Sequence, residues 1–126
     1  MREMLMDEYR KGWALRYLRE AMDEVKIAKK DSRALDLAFD ALRKAQAAIY
    51  YSLGEPSFIE RIVEEALEET FPIENPVLRF LVEIERAIKQ LENMAEEKGK
   101  SPVIMEETDK IISVASKIVN LLTPEN

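Results

Sequence analysis

The sequence has no cysteine and no histidine. Without cysteine there are no disulfides and no thiolate chemistry. Without histidine there is no imidazole base, no Ser-His or Cys-His pair, and no imidazole metal ligand. A metal site here would be built from oxygen ligands, which favours Mg²⁺, Mn²⁺ or Ca²⁺. There are three glycines, Gly12, Gly54 and Gly99, and no glycine-rich phosphate loop. No apolar run approaches the length that crosses a bilayer. The opening residues Met1–Glu8 are interrupted by charge too early for a signal-peptide core. The expected compartment is the cytoplasm, with no membrane partner.

The composition that remains is that of a folded chain. It has 126 residues, 47% apolar and 35% charged. Such a chain folds only if the apolar residues are segregated onto faces. One domain spanning 1–126 is the economical reading. The formal net charge is −6, which argues against general binding of nucleic acid, since phosphate binders need a basic footprint. Abundant Glu, Lys, Arg and Ile with few Asn and Gln give a thermophile-like composition.

Periodicity divides the chain into helices. From about Arg2 to Lys30, Leu5, Tyr9, Trp13, Tyr17, Ala21 and Val25 recur every fourth residue, joined by Leu18 and Met22. A second helix over about Ser32 to Leu53 combines a stripe of Leu35, Phe39, Leu42 and Ile49 with an alanine ridge, Ala34, Ala38, Ala41, Ala45 and Ala48. Gly54 suits the position that ends it. Ser57 and Glu60 have the spacing of a capping box that opens a third helix at Ser57. Asn75-Pro76 and Ser101-Pro102 each place a cap before a proline at the first helical position. They open a fourth helix to about Lys98, ended by Gly99, and a fifth stopped at Pro124. The expected fold is all-α, an antiparallel bundle of four to five helices with short connections.

The first two helices, Tyr17-Leu18 through Ala21 and Val25, then Ala34-Leu35 through Ala38, Ala45, Ala48 and Ile49 to Leu53-Gly54, resemble the HEPN group of small helical bundles. The likeness covers under half the chain. Nuclease members carry an Arg followed, after four to six residues, by His. Here Arg86 has Leu91 at the corresponding place, so RNase activity is not implied. The resemblance implies a scaffold that pairs with itself or with a partner, in a toxin–antitoxin or RNA-processing assembly.

Two acidic motifs look like the metal-binding carboxylates of MazG-type all-α nucleotide pyrophosphohydrolases. They are Glu64-Glu65-Ala66-Leu67-Glu68 and Glu106-Glu107-Thr108-Asp109. That resemblance implies Mg²⁺ held by Glu64, Glu65, Glu68, Glu106 and Asp109. At about 100° per residue, however, Glu64 and Glu68 fall opposite the apolar stripe of their helix, and Glu106 opposite its own. A solvated face, or a docking face for a basic partner, is the simpler reading of the acidic run. A modest basic cluster gathers Lys29, Lys30, Arg33, Arg43 and Lys44. Tyr51 is expected to face outward, with Tyr50 at the core edge.

The first helix is longer than the second, so its N-terminal part overhangs with apolar and aromatic side chains. Leu5, Met6, Tyr9, Trp13 and Tyr17, with arginines nearby, have the composition of an interface. The leading expectation is a non-catalytic interaction module with no cofactor, a homodimer through helix one, leaving room for another protein partner.

Overall fold

The computed structural model describes residues 2–31, 34–70, 72–99 and 101–123, with residues 2–7 by backbone alone. Among them are five helices and no strand: α1 Arg2–Lys30, α2 Leu35–Leu53, α3 Pro56–Leu67, α4 Pro76–Lys98 and α5 Pro102–Leu122. A helical bundle is therefore the fold. No helix of the described residues is long and apolar enough to cross a membrane.

Helix ends follow local chemistry. Asn75 accepts from the backbone N–H groups of Val77 and Leu78, with Pro76 at the first position of α4. Ser101 accepts from Ile104 N–H ahead of α5 in the same way. The start of α3 corrects the sequence reading. Glu55, not Ser57, is the cap: its carboxylate accepts from Phe58 N–H and from the Ser57 hydroxyl. Pro56 lacks an N–H and has a preset φ, so it takes the first helical position and shifts the start one residue earlier. At the start of α2, Ala34 makes no side-chain cap; Ser32 lies outside the described residues.

α2 packs against all four other helices, whereas among the described residues α1 meets only α2 and α5. α1 and α2 form the most extensive pairing, and small residues make it close. Ala14 and Ala21 of α1 and Ala41, Ala45 and Ala48 of α2 have no exposed surface. Cross-contacts run in opposite chain order. Tyr51 lies against Trp13 and Tyr17, while Lys44 reaches Glu20 and Glu24. That order is the register of an antiparallel pair. The shared core adds Leu18, Val25, Leu42, Ile49, Val63, Leu81, Ile88, Ile104, Ile112 and Val119. Met22, expected on the α1 stripe, is instead exposed. The buried line of α1 runs through Ala14, Leu18, Ala21, Val25 and Ala28, one strip to the side of the aromatics.

Candidate functional site

Two places gather chemistry: an aromatic ladder where α1 passes the end of α2, and a polar cleft on the opposite side of α2. The ladder follows from four-residue spacing. Tyr9, Trp13 and Tyr17 lie one above another on α1, with ring centroids 6.4 and 5.7 Å apart. Tyr51 of α2 completes it, at 6.3 Å from Trp13 and 5.7 Å from Tyr17. Tyr51 was expected to face outward. It instead packs at the edge of the core against the α1 aromatics and is half-buried there. The Arg16 guanidinium lies 5.0 Å from the Trp13 ring centre, within cation–π reach.

The ladder is open at one end. Tyr9 keeps 61% of its surface exposed. α1 has 29 residues and α2 has 19, a difference of about 15 Å at 1.5 Å per residue. Since Trp13 is level with Tyr51, near the end of α2, the extra length lies on the N-terminal side of Trp13. The candidate interface side chains Leu5 and Met6 lie outside the described side chains, although their backbone is helical.

The cleft lies between α2, α3 and α4 and holds about 410 Å³, lined by Arg43, Gln46, Ala47, Tyr50, Glu60, Val63, Glu64, Glu85 and Lys89. A connected network forms its floor. Arg43 Nη1 donates to Glu85 Oε1 at 2.9 Å, and its Nη2 donates to Glu92 at 3.0 Å. Gln46 accepts from Arg43 and donates to Glu85 Oε1 at 2.6 Å and to the Tyr50 hydroxyl at 3.2 Å. Gln46 and Tyr50 are each 7% exposed. Burial pushes the Tyr50 phenol up to about 12, and the negative charges of Glu85 and Glu60 add to the shift. A buried glutamine on the inner side of α2 was the signal that sequence reading missed. Its helix is alanine-rich, so a lone Gln among small residues marks the place where polar partners must arrive from another element.

The basic cluster expected around the first turn is taken apart by ion pairs. Arg43 and Lys44 are adjacent in sequence and point about 100° apart on the helix. Arg43 turns to α4. Lys44 turns to α1 and lies within 3.0, 3.1 and 3.2 Å of Glu20, Glu24 and Asp40. Hydrogen bonds donated to Glu20 and Glu24 hold the Lys44 ammonium well above its ordinary pKa. Burial raises Glu24, aided by its neighbour Asp40, whose own pKa is lowered by sharing a hydrogen bond with Glu24. Lys29 pairs with Asp109 at 2.8 Å. Arg33 lies outside the described residues.

The two acidic motifs do not converge. Glu64, Glu65 and Glu68 are exposed on α3 and Glu106 on α5, while Asp109 is engaged by Lys29. The backbones of α3 and α5 do not approach one another among the described residues. Within those residues no group of three carboxylates is placed to hold a metal ion. This arrangement does not fit a Mg²⁺ centre shared by the two motifs, so no hydrolytic step is derived from it. Comparison with protein-family models, curated proteins and solved structures gives no match.

Proposed function

We propose that this chain is a non-catalytic helical interaction module that associates with a second copy of itself through α1. The observation that carries the reading is the open aromatic ladder, Tyr9–Trp13–Tyr17–Tyr51 with Arg16 on the Trp13 ring. Aromatic residues, Met and Arg are the types enriched where proteins meet. The ladder continues, in sequence, into Leu5 and Met6 on the projecting part of α1. A second copy presents the same apolar projection, and a two-fold arrangement covers both at once, the commonest solution among small oligomers. Leaving such surface wet is unfavourable by about 25 cal/mol per Å².

Light scattering at tens of micromolar tests this. The wild type is expected to be a dimer, and Leu5→Glu with Tyr9→Glu to be a folded monomer with unchanged helix content. Trp13, the only tryptophan, should shift its emission to the red as the dimer dissociates on dilution. A strictly monomeric wild type would overturn the reading.

A further inference from the structure

α1 carries a glycine that its own fold does not use. Gly12 lies inside the helix, on its outer face, and a side chain placed there would meet nothing within 4 Å. A glycine inside a helix weakens it relative to alanine, and no packing among the described residues calls for it. The surface around Gly12 is a shallow hollow lined by α1 alone, bordered by Leu15, Arg16 and Arg19. Gly12 also belongs to a stripe with the alternating three- and four-residue spacing of a helix-pairing seam: Leu5, Glu8, Gly12, Leu15, Arg19 and Met22. This stripe is turned away from the buried line of Ala14, Leu18 and Ala21. Glu8 and Arg19 are exposed and have no ion-pair partner among the described residues. Met22 is exposed and Leu15 is half-buried.

The stripe is complementary to its own reverse. Let a second copy lie antiparallel to it, with Gly12 level with Leu15. Leu15 of each copy then enters the gap left by Gly12 of the other. Glu8 of each copy meets Arg19 of the other, and Leu5 meets Met22. Laid parallel in register, the same stripe would set Glu8 against Glu8, Arg19 against Arg19, and one gap against another. We propose that two copies of this chain pair antiparallel along this seam, with Tyr9 and Arg16 flanking it. The proposal rests on the self-association through α1 put forward above, and it assigns that association a face, a direction and a register. A second copy is the fitting occupant because each charge and the gap find their complement within this one stripe. The exposed Tyr9 end of the ladder then lies at the margin of the seam.

Sedimentation equilibrium on the full chain tests the register. The wild type is expected to be a dimer. Gly12→Leu fills the gap that Leu15 enters and should raise the dissociation constant about tenfold or more. Its helix content and the thermal midpoint of the dissociated chain should not fall, because nothing in the monomer opposes the new side chain. Glu8→Arg and Arg19→Glu, each alone, set like charges against one another and should each weaken the dimer about tenfold. Combined in one chain, the two reversals restore opposite charges only in the antiparallel register. The double variant should therefore return to within about threefold of the wild type. A dimer indifferent to Gly12→Leu, or a double variant no tighter than the single ones, would overturn the seam and leave self-association through the ladder standing. A strictly monomeric wild type would overturn both.

Discussion

The two sides of α2 are built on different principles. Toward α1, on the face marked by Lys44 and Tyr51, the helix presents Ala41 and Ala48 with no exposed surface. Toward α4 it presents Arg43 and Gln46, tied to Glu85 and Glu92 by hydrogen bonds, with Tyr50 bonded to Gln46. The first side fixes how closely two backbones approach. It has little directional information and tolerates no added volume. The second holds its neighbour by donor and acceptor geometry and leaves space for a cleft. One helix thus carries an apolar packing surface and a hydrogen-bonded surface, separated by a turn of about 100° between adjacent residues.

Three substitutions test this contrast. The largest effect is expected from Ala48→Leu, which forces a branched side chain into the fully buried α2 side of the core. Overpacking should cost about 1–3 kcal/mol, seen as a lower midpoint in denaturant unfolding. A neutral outcome would mean that the alanine side has slack. On the other side, Glu85→Gln keeps the shape and removes the charge that Arg43 and Gln46 both address. Because Arg43 is partly exposed, the expected loss is smaller, about 1 kcal/mol. It should be accompanied by a lower pKa for Tyr50 in a spectrophotometric titration, since Glu85 helps to raise it. An unchanged Tyr50 would separate the phenol from the network.

The smallest effect concerns the Lys44 cage. The Glu24 carboxyl is raised above its ordinary 4.5 by burial and by Asp40. A raised carboxyl favours the folded state most when protonated. Its contribution is therefore full below about 4.5 and fades as pH climbs through the higher native value. Asp40 and Glu20 are lowered, so theirs runs the other way and is lost as pH falls through their native values. Glu24→Gln should remove the first component and, because the hydrogen bond with Glu24 is the main cause of Asp40's lowering, change Asp40's as well, leaving that of Glu20. Its stability curve should stay flat over the window just above 4.5, where the wild type loses a little with rising pH. Superimposable curves would show that Glu24 does not titrate differently on folding.

Much of the scaffold was legible in the sequence, because helix signals are local. Proline after Asn75 and after Ser101 marked two starts, and Gly99 marked an end, where the backbone takes a φ of 70° that favours glycine. The same logic, applied to Pro56, would have placed the third cap at Glu55. The Ser57–Glu60 spacing competed with it and misplaced the cap by two residues. The candidate sites were less legible, because they depend on which helix meets which. Tyr51 looks outward on an isolated α2 and becomes a ladder rung only when α1 lies beside it. Arg43 and Lys44 look like one basic patch and are divided between two neighbours. Glu64 is solvent-facing, as its angle on α3 suggested, yet it borders a cleft that exists only once α2 and α4 are in place.

α2 is also the one helix that touches every other, while α1 meets neither α3 nor α4 among the described residues. The ladder and the cleft thus share one helix. Tyr50 and Tyr51 are consecutive, one in the cleft floor and one in the ladder. An occupant that rotates α2 by a few degrees to seat itself near Tyr50 must move Tyr51 against Trp13 and Tyr17 by the same rotation. If a second copy associates at the ladder as proposed, any contact near Tyr50 that favours one setting of α2 changes that association, and by thermodynamic reciprocity each alters the other's affinity by the same factor.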